Sequence, residues 1–248
     1  DTCIDIDGNI YETVQIDGQL WMAENLKVTH YNNGDEIPNI TNNSSWLSIF
    51  TGAYGDYDNN PANSETYGRL YNWYTVDDER GVCPAGWHVP SDAEYTILTD
   101  YLDGESVAGG KMKEAGYEHW NSPNTGATNE SGFTGLPAGY RTSSSSGGYS
   151  NMGNDGYFWS SSESNSNDAW HLGLKHNNSS RYLYGNDKHG GLSIRCLEGE
   201  MPDCAGVAGG SAVVDCAGVC NGSAYTDPNY GEDFCTHNQC IGGNTGLT

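Results

Sequence analysis

The sequence predicts an α+β domain over residues 1–200, followed by an irregular, disulfide-rich tail over 201–248. Three observations carry that division. Period-two runs with turn signals lie near both ends of the first 200 residues. A capped helical pattern sits between them. At residues 198–202 the composition shifts and a small repeat begins, with DCAGVAGGSA at 203–212 matching DCAGVCNGSA at 215–224 at a 12-residue period.

Residues 4–27 read as strands. DIDGN at 5–9 is a turn, IYETVQI at 10–16 alternates with period two, and Asp17-Gly18 signals a hairpin into QLWM at 19–22. Residues 32–63 are polar and irregular, and the aromatic cluster of Tyr67, Tyr71, Trp73 and Tyr74 predicts a helix over 67–77. The clearest helix is 91–102. Ser91 stands as N-cap with Glu94 three residues on, and Tyr95, Leu98 and Leu102 recur at helical spacing. A second short helix is expected over 107–114. Beyond Gly116 the chain is rich in Gly, Ser and Asn, with strands expected at 157–161 and 169–174 and a closing strand at 192–197.

Hydrophobic residues make up 35% of the 248, which is low for a globular chain, and 34 Gly indicate a loop-rich fold. The 17 Tyr and 7 Trp supply the apolar area a core needs. With 33 acidic against 10 basic residues the net charge is −23, which repels nucleic acid and anionic membranes. The acidity suits solubility outside the cell, with calcium binding by some carboxylates as the other reading. No apolar run approaches the ~18 residues of a membrane span. No signal peptide is evident, and a start at Asp1 rather than Met suggests a processed or excerpted mature form.

The eight cysteines are Cys3, Cys83, Cys196, Cys204, Cys216, Cys220, Cys235 and Cys240. Their even count and wide spacing suit disulfides in an oxidising compartment better than a zinc site. The tail has too little apolar mass to fold by burial alone, so it needs disulfides, a metal or a surface to lie on.

Residues 1–200 resemble the Fibrobacter succinogenes major paralogous domain family of secreted bacterial domains. The resemblance rests on WMAENL at 21–26, YGRLYNWY at 67–74, CPAGWHVPSDAE at 83–94, NESGF at 129–133, LPAGYR at 136–141, FWSSSE at 158–163 and SIRC at 193–196. It implies a C-type-lectin-like domain with two helices and twisted antiparallel strands, no activity, and a structural bridge between Cys83 and Cys196. The tail is similar to short Asp-Cys-x-Gly-x-Cys repeats of secreted surface proteins, but Ala208 replaces the second cysteine of the first repeat. With Cys83 and Cys196 assigned, Cys3 and the five tail cysteines leave an even six, and their connectivity stays open.

The wider fold includes formylglycine-generating oxidases, which use a reactive cysteine pair; here the core pair sits in structural motifs. The Ser-rich runs lack a nucleophile-elbow context, and the seven His lack metal-ligand spacing. Asp56, Asp58 and Asn60, with Glu65 beyond, offer alternate oxygens of the kind calcium takes about six to eight of. Pro61 occupies the place of an EF-hand glycine, so a plain Asx-turn loop is the competing reading. The tail residues Asp203, Asp215, Asp227 and Asp233 are a second calcium candidate. Sequons at Asn39, Asn42, Asn43, Asn129, Asn177, Asn178 and Asn221 mark candidate glycan attachment sites. Trp159, Trp170, Tyr182 and Tyr184 are candidates for stacking on sugars, against a role as core aromatics.

The expected function is a non-catalytic extracellular structural subunit that self-assembles into a filament or matrix. Ser211, Ala212, Val213 and Val214 would add as a strand to a neighbour's sheet edge, and such a head-to-tail contact propagates. The alternative is a glycan- or protein-binding adhesion module of the cell surface. The expected partners are further copies of the chain and glycans, with no nucleic acid and no membrane insertion.

Overall fold

The computed structural model describes residues 1–144 and 147–199, and the chain divides into units Asp1–Glu198 and Gly199–Thr248. The predicted tail, with its five cysteines, Asn221, the acidic candidates and the 211–214 segment, lies outside the described residues.

The first unit opens with β1 (Thr2–Ile4), β2 (Ile10–Ile16), β3 (Gln19–Met22), α1 (Asn43–Ser48) and β4 (Tyr54–Gly55). A 3-10 turn at Tyr57–Asn59 precedes α2 (Pro61–Tyr67), β5 (Leu70–Tyr71), α3 (Trp73–Val76) and β6 (Trp87–His88). Then come α4 (Asp92–Tyr101), α5 (Glu105–Met112), β7 (Tyr140–Arg141) and β8 (Tyr149–Ser150). The unit ends with β9 (Asp155–Glu163), β10 (Asp168–Lys175), β11 (Tyr182–Asp187) and β12 (Leu197–Glu198). This is a mixed helix-and-sheet domain. Its sheets are a five-stranded one ordered β1-β2-β3-β12-β6, an antiparallel β11-β10-β9 sheet and two pairs, β4-β5 and β7-β8.

The amino-terminal strands form as their alternation requires. Asp5 closes the first turn, its buried carboxylate accepting from the backbone of Asp7 (3.0 Å) and Asn9 (2.9 Å) and from the Tyr11 hydroxyl (2.6 Å). Asp17 takes a positive φ between β2 and β3, as the tight hairpin demands. The ends of the unit meet, because Leu197 pairs with both Trp21 and His88. In α4 the Ser91 side chain accepts from the Glu94 backbone while Glu94 reaches back, the full capping box, and Tyr95, Leu98 and Leu102 enter the core.

Five α-helices stand among the described residues, not the two that the resemblance implies. The additional three are short and begin alike, with Asn42, Asn60 and Asn72 each accepting a backbone N–H at the N-cap. The helix expected over 67–77 is confined to α3, since Leu70 and Tyr71 extend to pair with Gly55 and Tyr54. The helix expected over 107–114 starts earlier, after Gly104 (φ +89°), and stops at Met112, where Lys113 turns extended. Gly109 and Gly110 let this helix touch the Ser180 and Gly126 backbone, where any Cβ would collide with a carbonyl. The closing strand is a ladder only at Leu197 and Glu198, while Leu192 and Ser193 bridge two different partners, Tyr71 and Phe158.

A loop-rich chain leaves many carbonyls outside regular ladders, and buried ones need donors. Buried cations supply them here. Lys113 Nζ donates to the carbonyls of Thr125, Lys175 and Asn178, each at 2.9 Å. Arg195 donates to the carbonyls of Met22 (3.1 Å) and Phe133 and to the Asn25 side chain (2.7 Å), with its guanidinium 4.4 Å from the Phe133 centroid. Arg141 binds the carbonyls of Ile40 and Thr41 and packs on Trp46. The Cys83–Cys196 disulfide joins segments 113 residues apart.

Candidate functional site

The sheet β9-β10-β11 has two faces because strand side chains alternate. One face enters the core through Phe158, Leu172 and Leu174. The other carries His171 and Lys175 on β10, Tyr157 on β9 and Tyr184 on β11. The register sets Gly173 opposite Tyr157 and Tyr182, and His171 opposite Tyr184. Together with Tyr140, Asn186 and Leu192 these residues line a cleft of about 250 Å³.

Gly173 gives this face its shape. A Cβ there would stand 3.3 Å from the Tyr157 ring and 3.6 Å from Tyr182, so the missing side chain lets the ring lie close over β10. Tyr140 and Tyr157 meet edge to face at 5.6 Å, and Tyr182 and Tyr184 stack at 5.6 Å with 19° between planes. Tyr184 is 50% exposed. The Tyr157 hydroxyl donates to Asp155 (2.9 Å); burial and that carboxylate raise its pKa.

His171 forms part of the cleft wall and is 7% exposed. Its ring contacts Tyr157 (5.4 Å), Trp159 (6.3 Å) and Tyr184 (6.4 Å), and Nδ1 has no hydrogen-bond partner. Burial lowers its pKa to about 4, against an opposing effect of the Tyr184 backbone, so the imidazole is neutral at physiological pH. Lys175 Nζ lies 4.8 Å from the Tyr182 ring centroid. The arrangement offers flat aromatic faces, a neutral imidazole, an amide and an ammonium, the mixture that holds a hydroxylated ring.

The sequence candidates fall in different places. Tyr182 and Tyr184 belong to the cleft region. Trp159 is instead a buried aromatic whose Nε1 donates to the Tyr71 carbonyl (2.7 Å), and Trp170 is half-buried at a position of opposite parity to His171. Asp56 is buried, accepting from Ser64 and from Asn39 (3.4 Å) and pairing with Arg69 at 3.5 Å. Asp58 and Glu65 are exposed, and Asn60 spends its side-chain oxygen on capping α2. The loop thus divides its oxygens between fold-holding bonds and solvent. Among the described residues, a compact group of ligand-type side chains lies elsewhere, at Glu114, Glu118 and His119.

Of the sequons, Asn129 holds its own loop, exchanging bonds with Thr134 at 2.9 and 3.0 Å, and Asn43 accepts from Arg141 (2.9 Å). Asn42 caps α1 and Asn178 accepts from the Ser180 backbone, whereas Asn39 and Asn177 are exposed. Cys83 and Cys196 are bridged. Cys3 is buried and has no disulfide partner among the described residues; burial, then Asp5, pushes its thiol up to about 11. Tyr140, Tyr157, His171, Lys175, Asn186 and Leu192 were not singled out by the sequence. One signal for them existed. His171, Gly173 and Lys175 share a parity in a strand whose other parity is Leu172 and Leu174, which marks a second, more polar face.

The model of the family described as the Fibrobacter succinogenes major domain matches residues 14–198. The chain belongs to that family. All the cleft residues fall inside the Fibrobacter major domain. No curated protein and no solved structure matches the chain significantly.

Proposed function

We propose that this Fibrobacter major domain is a non-catalytic glycan-binding module of an extracellular surface protein, with the tyrosine cleft on β9-β10-β11 as its ligand site. The single observation that carries the reading is the cleft itself, where stacked and edge-on tyrosines meet a neutral imidazole and the Asn186 amide. Sugars present C–H faces to aromatic rings and hydroxyls to such polar groups, and this wall provides both. A holding role rather than a reacting one is supported by His171 being kept neutral and by Asp155 spending its carboxylate on Tyr157 and Asn151 (2.6 Å). The Cys83–Cys196 bridge supports an oxidising, extracellular location. Closure of the unit by β12 between β3 and β6 supports kinship with the C-type-lectin-like fold.

The test is affinity electrophoresis of the chain through gels cast with neutral and acidic polysaccharides. Retardation by at least one, abolished in Tyr184→Ala at unchanged melting temperature, is the expected result. Free migration through every gel sinks the reading.

A second reading, a self-assembling filament or matrix subunit, is favoured by the edge strand β1. There Ile4 (59% exposed) pairs in register with Ile10 (62% exposed), an apolar pair on a sheet edge that no other described strand covers. Negative-stain imaging with and without a calcium chelator tests it. Regular filaments support this reading, and dispersed particles in both conditions remove it.

A further inference from the structure

The chain carries ten Lys and Arg residues, and the use made of each bears on what the cleft binds. Lys27, Arg69, Arg80, Lys111, Arg181 and Lys188 face carboxylates within 4.0 Å. Lys113, Arg141 and Arg195 donate to carbonyl and amide oxygens. Lys175 is the exception among the described residues. Its ammonium has no hydrogen-bond acceptor and no carboxylate, only the Tyr182 ring, although its strand partner is Asp155. In a chain of net charge −23, an unpaired cation at the wall of an aromatic cleft stands out.

We propose that the cleft takes a carboxylated sugar, a uronic acid residue of an acidic glycan, with the carboxylate on Lys175 and the ring face on Tyr184. The proposal rests on the glycan-binding reading and narrows it to one chemical class. The reason is desolvation. Any ligand that fills the cleft removes water from Lys175. A neutral ligand leaves the ammonium without a counter-ion, whereas a carboxylate replaces the lost water with a charge-assisted hydrogen bond. The Asn186 amide, which makes no side-chain hydrogen bond among the described residues, remains for a ring hydroxyl. The chain's negative field opposes an anion at long range, but salt screens it beyond roughly 8 Å at physiological ionic strength. Contact with Lys175 lies well inside that distance.

The experiment is calorimetric titration of the full chain with trimers of galacturonate, glucuronate and mannuronate and with the methyl ester of each. The wild type, Lys175→Gln, Lys175→Arg and Tyr184→Ala are compared. The expected result is that at least one acid binds roughly tenfold tighter than its ester, the size of one charge-assisted bond. Lys175→Gln erases the difference while leaving ester affinity in place, Lys175→Arg retains most of it, and Tyr184→Ala weakens acid and ester alike. Equal affinity for acid and ester in the wild type overturns the acidic assignment, as does a preference that survives Lys175→Gln. If that equal binding is still lost in Tyr184→Ala, the glycan cleft stands and only its charge preference falls. If Tyr184→Ala changes nothing for any trimer that binds, or none binds, both fall.

Discussion

Two neighbours on β10, His171 and Leu172, show what the two faces of one sheet can be made to do. Leu172 packs with Phe158 and Phe133 in a cluster of buried hydrophobic side chains. His171, one residue earlier, faces tyrosines in a cleft and leaves a ring nitrogen unpaired. Backbone and ladder are shared, so the difference lies in what covers each side. The core face is sealed by α4, α5 and the loop carrying Phe133, while Gly173 and the half-exposed Tyr184 keep the other side concave. A sealed face contributes stability, and an open one retains polar groups that a ligand can use.

That contrast breaks first at Arg195, which ties the core side together. Arg195→Ala strips donors from the carbonyls of Met22 and Phe133 and from Asn25, and removes the cation over Phe133. We expect a loss of about 4 kcal/mol in urea unfolding, enough to threaten folding of the domain. Arg195→Lys should recover only part of it, because a single ammonium cannot span the same acceptors. A loss below about 1 kcal/mol for the Ala variant would mean that water replaces the guanidinium. Leu172→Ala should cost about 3 kcal/mol through the cavity it leaves, with ligand affinity unchanged while the protein stays folded. A Leu172→Ala variant of normal stability but weakened binding would show that the faces are not separate.

The cleft face responds to acid. His171 has a folded pKa near 4 against an ordinary value of about 6.5, so below pH 6.5 the unfolded chain takes up the proton first. The contribution of neutral His171 is complete above pH 6.5 and is lost as pH falls toward 4. By pH 5 the loss amounts to about 2 kcal/mol. Urea midpoints measured from pH 7.5 to 4.5 should fall more steeply for wild type than for His171→Gln. Parallel curves would mean that His171 is hydrated.

Local signals in the sequence were legible where the structure obeys them locally. The capping box at Ser91 and Glu94 and the paired runs of β2 and β3 form within a few residues of one another, and the sequence placed each. The strand β11 was invisible because Tyr182-Leu183-Tyr184-Gly185-Asn186-Asp187 ends in turn-forming residues, and only pairing with β10 makes it extended. The bounds of the short helices were hidden differently. Asn42, Asn60 and Asn72 are ordinary capping residues, but among so many asparagines a cap cannot be told from a loop. Arg141, Arg195 and Lys113 carry no local signal of their burial and are donors to loop carbonyls. The cleft failed to show for the same reason as β11. Its wall spans Tyr140 to Leu192, and no short window holds more than part of it.

The smallest effect on stability is also the most informative about the open face. Tyr184 is half exposed, stacks on Tyr182 and lies on the outer strand of its sheet, so Tyr184→Ala removes little buried area. Its cost should be under ~1 kcal/mol in urea unfolding, well below that of Leu172→Ala. If Tyr184 were a core aromatic that happens to reach the surface, its loss would follow the ~3–5 kcal/mol of large aromatic truncations. The ratio of the two losses therefore measures how far the sheet is divided into a face that stabilises and a face that binds. A near-zero cost paired with lost glycan affinity places Tyr184 wholly on the binding side. A large cost would instead make the tyrosine wall part of the core and leave the cleft an accident of its packing.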